Sequence, residues 1–175
     1  MERKIEDFFQ KWKNDIIRKP MVLYGPKQIG KTFSALAFGK KYYKNVVYFN
    51  TDNNKELLEL FTREKSTEKI ILNLSLDIGE TILKEDTLII LDNVNNVEYV
   101  KGLKLFGGEH SEYHIIAITS RRENLNEFKG EDLQFKGMSA MDFEEYLWAH
   151  NERNLTDLIR ESYTKERHVH FIKWR

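Results

Sequence analysis

Gly25-Pro26-Lys27-Gln28-Ile29-Gly30-Lys31-Thr32 decides how this chain is read. The stretch has the form G-x-x-x-x-G-K-T, a phosphate-binding loop. Its glycines let the backbone turn until several N–H groups converge on one point. A helix that follows adds its own unpaired N–H groups and the positive end of its dipole, so the site favours phosphate. Lys31 would reach the β- and γ-phosphates, and the Thr32 hydroxyl would ligate Mg²⁺. The flanks supply the setting such a loop needs. Met21-Val22-Leu23-Tyr24 is a short apolar strand with Pro20 at its mouth. Thr32 to Tyr42 places Phe33, Leu36, Ala37 and Lys40 at helical spacing, and strand, loop, helix is the required order. Gly25, Pro26, Lys27, Gln28, Ile29, Gly30, Lys31, Thr32 and Phe33 are therefore the expected nucleotide-binding residues, with ATP and Mg²⁺ as the expected cofactors.

The 175 residues suit one domain with a sizeable core. Hydrophobic residues make up 41% and charged ones 32%, a globular and not a disordered composition. Basic and acidic residues balance at 28 each, which argues against a strongly basic nucleic-acid surface. The absence of Cys excludes disulfides and thiolate metal sites. The start, Met1-Glu2-Arg3-Lys4, does not fit a signal peptide. No apolar run approaches the roughly 20 residues of a membrane span. A cytoplasmic location without membrane contact is expected.

Outward from the loop, residues 3–18 place Ile5, Phe8, Phe9, Trp12, Ile16 and Ile17 on one helical stripe. Val46-Val47-Tyr48-Phe49 predicts a second strand, and Leu57, Leu58 and Phe61 a short helix. Ser66 caps a further helix through Ile70, Ile71, Leu74 and Ile78, stopped by Gly79. Thr87-Leu88-Ile89-Ile90-Leu91 is a continuous apolar run, as in a strand buried on both faces. Glu98 to Phe106 is helical, stopped by Gly107-Gly108. His114 to Thr119 is a fourth strand and Leu133-Gln134-Phe135-Lys136 a shorter fifth. A helical tail opens at Phe143, with breaks near Asn151 and Thr164. Alternating strands and helices predict an α/β fold, a three-layer sandwich around a five-stranded parallel sheet, with the loop at its carboxyl edge. One domain is expected over 1–175: a helical extension at 1–18, a core at 19–138 and a helical tail at 139–175.

Leu88-Ile89-Ile90-Leu91-Asp92 has the form of a Walker B strand, with a carboxylate at the tip to hold Mg²⁺. Thr32 and Asp92 are thus the expected metal ligands. Many related ATPases place a Glu base directly after this Asp; Asn93 stands there instead, and an amide cannot take a proton from water. Thr119 or Ser120, at the end of the fourth strand, is placed to sense the γ-phosphate. The expected catalytic set is Lys31, Asp92, Asn93, Thr119 and Ser120. Arg121 and Arg122 are read as a solvated pair, His168 and His170 as surface residues, and Phe8, Phe9 and Trp12 as core.

Tyr24 to Thr32, Leu88 to Val94, His114 to Ser120 and the segment Met138-Ser139-Ala140-Met141-Asp142-Phe143-Glu144-Glu145-Tyr146-Leu147 together resemble the prokaryotic AAA-type ATPases that carry a C-terminal domain of unknown function. That family shows a Gly-Pro-x-Gln-x-Gly-Lys-Thr loop, an Asp-Glu-Ile-Gln Walker B end, a Gly-Ser sensor strand and a Pro-Met-Ser-Phe-Glu-Glu-Phe-Leu segment. The resemblance implies a P-loop NTPase fold with strand order 5-1-4-3-2, and it carries over Lys31, Thr32 and Asp92. Thr119-Ser120 replaces Gly-Ser, and Asp92-Asn93-Val94-Asn95 replaces Asp-Glu-Ile-Gln. Lys129 falls near a position that is often basic in the family. The resemblance also implies a second domain beyond the tail, so this chain is expected to be a fragment, a truncated form or a degenerate member, with a protein partner or that domain as its partner.

The sequence is compatible with three functions. The first is an ATP-Mg²⁺-binding AAA-type P-loop domain with weak hydrolysis. The second is a nucleotide-dependent switch or interaction module without turnover, which Asn93 favours. The third is a small-molecule P-loop kinase, which needs an Arg-rich lid that the sequence does not display.

Overall fold

A computed structural model of the chain describes residues 3–108, 112–121 and 132–164. Among these, seven α-helices and five strands follow in the order α1 (Ile5–Lys13), β1 (Met21–Tyr24), α2 (Lys31–Tyr42), β2 (Asn45–Asn50), α3 (Lys55–Arg63), α4 (Thr67–Ile78), β3 (Thr87–Asp92), α5 (Val97–Leu103), β4 (His114–Thr119), β5 (Gln134–Gly137), α6 (Phe143–Ala149) and α7 (Arg153–Thr164). Contacts within the chain group them into two compact units, one of Ile5–Ala140 and one formed by the amino-terminal residues with Met141 onward.

The larger unit is built on one sheet. Its order is β2-β3-β4-β1-β5, which read from the other edge is 5-1-4-3-2. Every pairing is parallel. Of the inner strands, β3 and β4 are buried along their whole length, which is why Leu88–Leu91 and Ile115–Ile118 between their polar ends are apolar without alternation. Successive side chains point to opposite faces, and two cores result. On one face Val22, Val47, Ile89, Leu91 and Ile115 pack with Leu57 and Phe61 of α3, Ile70 and Leu74 of α4, and Tyr99 and Leu103 of α5. On the other, Met21, Leu23, Leu88, Ile90 and Ile116 pack with Phe9 and Trp12 of α1 and Ala35 and Phe38 of α2.

Local signals set most helix ends. The Asn54 and Ser66 side chains accept from Leu57 N and Lys69 N and start α3 and α4. Gly79 closes α4 with its N–H on the carbonyls of Ser75 and Leu76. α5 is shorter than expected, passing into a 3₁₀ turn at Lys104–Phe106.

The amino-terminal helix departs from expectation. It stops at Lys13, and Ile16 and Ile17 are 93% and 68% exposed. Arg18 supplies the reason. Its guanidinium donates to the Lys13 carbonyl at 2.5 Å, while Asp15 Oδ1 accepts from Ile17 N at 3.1 Å. Together they cap the helix and turn the chain toward β1. A 3.6-residue pattern continued past Lys13, but the apolar stripe had nothing left to cover.

In the smaller unit, Asp142 and Glu145 form a capping box at the start of α6. The Arg3 guanidinium meets Glu145 Oε1 at 3.1 Å, with both side chains buried. Arg160 of α7 grips Glu144 with two bonds, 2.7 and 3.0 Å long. The tail breaks at Asn151, whose φ is 61°. Arg122, Lys129, His168 and His170 lie outside the described residues.

Candidate functional site

The loop between β1 and α2 stands at the carboxyl edge of the sheet. Two backbone constraints shape it. Gly30 caps α2 at φ 92° and ψ 21°, a left-handed conformation that side chains disfavour. A Cβ on Gly25 would stand 2.2 Å from the Met138 carbonyl oxygen, at the end of β5. Gln28 also takes a positive φ, 63°. Among the described residues no side chain caps α2, and its first-turn N–H groups have no intrahelical acceptor.

Lys31 is buried, and its ammonium donates to the carbonyls of Gly25 at 2.9 Å and Pro26 at 2.6 Å. Burial pulls its pKa below the ordinary lysine value, and the Asp92 carboxylate acts in the opposite direction. Thr32, one residue on, donates its hydroxyl proton to Asp92 Oδ2 at 2.8 Å. That bond uses the proton and leaves the hydroxyl's lone pairs for another partner.

Asp92 ends β3 and is itself buried. Its Oδ1 accepts from Asn93 N at 2.8 Å, and its Oδ2 accepts a second proton, from the Tyr48 hydroxyl at 3.0 Å. Burial, then the bond and charge of Asp92, push the Tyr48 phenol up to about 12, so it stays a donor. Asn93 has a left-handed backbone, φ 62°, and is exposed. Its amide nitrogen donates to Asn50 Oδ1 at 3.1 Å. Thr119 is buried, with its hydroxyl accepting from Arg121 N at 3.1 Å.

A cleft of about 250 Å³ joins these groups, lined by Lys27, Gln28, Lys31, Thr32, Asp92, Asn93, Ile118, Thr119 and Ser120. Among the described residues, Asp92 is the one carboxylate in that lining. Most of the expected set therefore meets in one place. Phe33 does not line the cleft and is 52% exposed on α2. Gly25 and Pro26 contribute carbonyl oxygens to Lys31 and do not line it. Ile29 and Gly30 do not line it either. Glu98 is held by Lys101 at 2.7 Å in the first turn of α5, away from the cleft lining. A wider cavity of about 620 Å³, lined by residues 51–55, Leu58, Asn95, Asn96, Val97 and Tyr99, shares Asn93 with the cleft.

The family model for an AAA domain matches residues 17–147, from just before β1 into α6. The chain belongs to that family. It is a nucleotide-binding domain of the AAA type, and the matched stretch contains the whole sheet and the cleft. A comparison with curated proteins finds no match. Among the described residues of this AAA domain, no helix is long and apolar enough to cross a membrane. Nor does any group of three or more His, Cys, Asp or Glu side chains gather for a metal among them.

The donor set of the AAA domain suits Mg²⁺. Mg²⁺ takes oxygen ligands, keeps several waters and binds through one or two protein groups together with substrate phosphates. The Thr32 hydroxyl and the Asp92 carboxylate are two oxygen donors already in contact. Sequence reasoning missed Tyr48 and Asn50. Both are polar positions on alternate residues of an apolar strand, on the face that Asp92 shares, and that alternation was the available signal.

Proposed function

We propose that this AAA domain binds ATP with Mg²⁺ and hydrolyses it weakly. The observation that carries the proposal is the meeting of Thr32 and Asp92 across 2.8 Å beside the Lys31 ammonium. Lys31 would leave the Gly25 and Pro26 carbonyls for the β- and γ-phosphates, with the loop and first-turn N–H groups around them. Thr32 and Asp92 would hold Mg²⁺, whose chemistry is to neutralise charge on the β- and γ-oxygens. Thr119 and Ser120 would stand at the γ-phosphate end. For the chemical step the domain offers Asn93, whose amide orients a water without accepting its proton.

A second reading has its own support: nucleotide binding without turnover, as a switch or interaction module. Asp92, the carboxylate lining the cleft among the described residues, already accepts from Thr32, Tyr48 and Asn93, which leaves no separate base among them.

The test is a calorimetric titration with ATP in Mg²⁺ and in EDTA, for wild type and Asp92→Ala, alongside steady-state phosphate release. Tighter binding in Mg²⁺ that Asp92→Ala abolishes is the expected result. ATP affinity indifferent to EDTA in wild type would sink the metal assignment, and binding with no phosphate release would select the second reading.

A further inference from the structure

The Tyr48 hydroxyl donates to Asp92 Oδ2, the oxygen that also accepts from Thr32. The sheet register explains how the tyrosine gets there. On edge strand β2, Tyr48 pairs with Ile90 of β3, so Asp92 lies two residues farther along the neighbouring strand. Positions two apart on a strand share a face. Ile90 packs in the core on the α2 side, so Tyr48 and Asp92 lie on that side too, where α2 begins with Lys31 and Thr32. A diagonal neighbour is about 7–8 Å away at the backbone, within reach of a tyrosine ring and beyond a short side chain. Asn50, directly opposite Asp92 in register, bonds instead to the Asn93 side chain.

Asp92 is thus held at both oxygens, by the Asn93 N–H on Oδ1 and by two hydroxyls on Oδ2. Their tasks differ. Thr32 stands in the first turn of α2 and lines the cleft, where its hydroxyl would face the ligand. Tyr48 comes from the neighbouring strand β2, does not line the cleft and reaches the same carboxylate oxygen as Thr32. We propose that Tyr48 is a positioning residue for Asp92, fixing the orientation in which the carboxylate receives Mg²⁺. The proposal rests on the ATP-Mg²⁺ reading above. It adds a residue that acts on the metal through a ligand, as hydrogen-bonded partners behind metal ligands do.

Tyr48→Phe removes the hydroxyl and keeps the ring, and Tyr48 is 42% exposed, so the variant should fold. ATP affinity is measured by calorimetry in Mg²⁺ and in EDTA for wild type, Tyr48→Phe, Asp92→Ala and the double variant. The Mg²⁺-dependent part of the affinity should fall about tenfold in Tyr48→Phe, the low end for such partners because this one is partly open to water. Metal-free affinity should not follow it. In the Asp92→Ala background the same substitution should make no further difference, since its route is gone. Equal Mg²⁺ dependence in wild type and Tyr48→Phe would overturn the proposal, as would an undiminished loss in the double variant. If wild type itself shows no Mg²⁺ dependence, the metal reading has failed and the role of Tyr48 with it, and the wild-type arm alone tells that outcome from the others.

Discussion

The Lys31 ammonium donates to the Pro26 carbonyl oxygen at 2.6 Å, so the cation that would meet the phosphates is folded back on its own loop. A second bond, to the Gly25 carbonyl at 2.9 Å, completes the arrangement. Under the proposed ATP binding, these neutral acceptors would be exchanged for charged phosphate oxygens, and charge-assisted bonds are the stronger kind. Lys31→Ala should therefore weaken ATP binding by about 2–5 kcal/mol, roughly 30-fold or more in affinity. Calorimetric titration of the folded variant checks it, and unchanged affinity would remove the phosphate-loop assignment.

Asn93 explains itself partly through the backbone. At φ 62° it sits where Asn is tolerated better than most side chains. Asn93→Glu introduces a base worth about 10²–10⁴-fold in favourable geometry. It also puts a less tolerant residue into a left-handed conformation, at a cost of roughly 1–2 kcal/mol in stability. The expected outcome is faster single-turnover phosphate release at saturating Mg-ATP, little change in affinity and a lower melting temperature. Brisk wild-type hydrolysis that Asn93→Ala leaves untouched would show that the base lies elsewhere.

Gly25 faces the Met138 carbonyl, whose residue is tied to β1 by Met138 N donating to the Tyr24 carbonyl at 2.8 Å. A methyl group at position 25 must push β5 from β1 or reshape the loop. Gly25→Ala is expected to cost about 1–3 kcal/mol, as overpacking does, and to weaken ATP binding as well. Urea denaturation reads the first and calorimetry the second; full stability would show that the loop yields easily.

His114 makes stability depend on acid. It is buried at the start of β4, with Nδ1 2.6 Å from the Tyr43 hydroxyl and, among the described residues, no hydrogen-bond partner at Nε2. Burial, then the positive charges of Arg18 and Lys13, push its pKa down to about 3. The folded state thus keeps it neutral between the ordinary value of 6.5 and about 3, where the unfolded chain binds a proton. Stability is complete above pH 6.5 and falls as pH drops through that window, by up to about 2 kcal/mol from pH 7 to 5. Wild type should lose more stability than His114→Gln over that interval in urea titrations. Parallel losses would mean that His114 is protonated in the folded protein.

The loop, the buried strands and the two ends of α4 were legible because each rests on neighbours in the chain. Gly30 admits a left-handed cap, Ser66 reaches the N–H three residues on, and Leu88 to Leu91 are apolar because the strand is covered twice. Ile16 and Ile17 misled, because a helical stripe says nothing about where the surface it covers comes to an end.

The contacts around Asp92 belong to another level. Composition and spacing identified a carboxylate at a strand tip and a Thr in a phosphate loop, which determined that this chain would carry a nucleotide-type site. They did not determine that Tyr48 would reach Asp92 or that Asn93 would turn to Asn50. Those pairs join β2 to β3 through a parallel register, 44 and 43 residues apart in the chain. A slip of one residue in that register would send Tyr48 to the opposite face. No local preference sets such a register; the burial of Val47 and Phe49 on one side of the sheet does, and only the packed fold contains it.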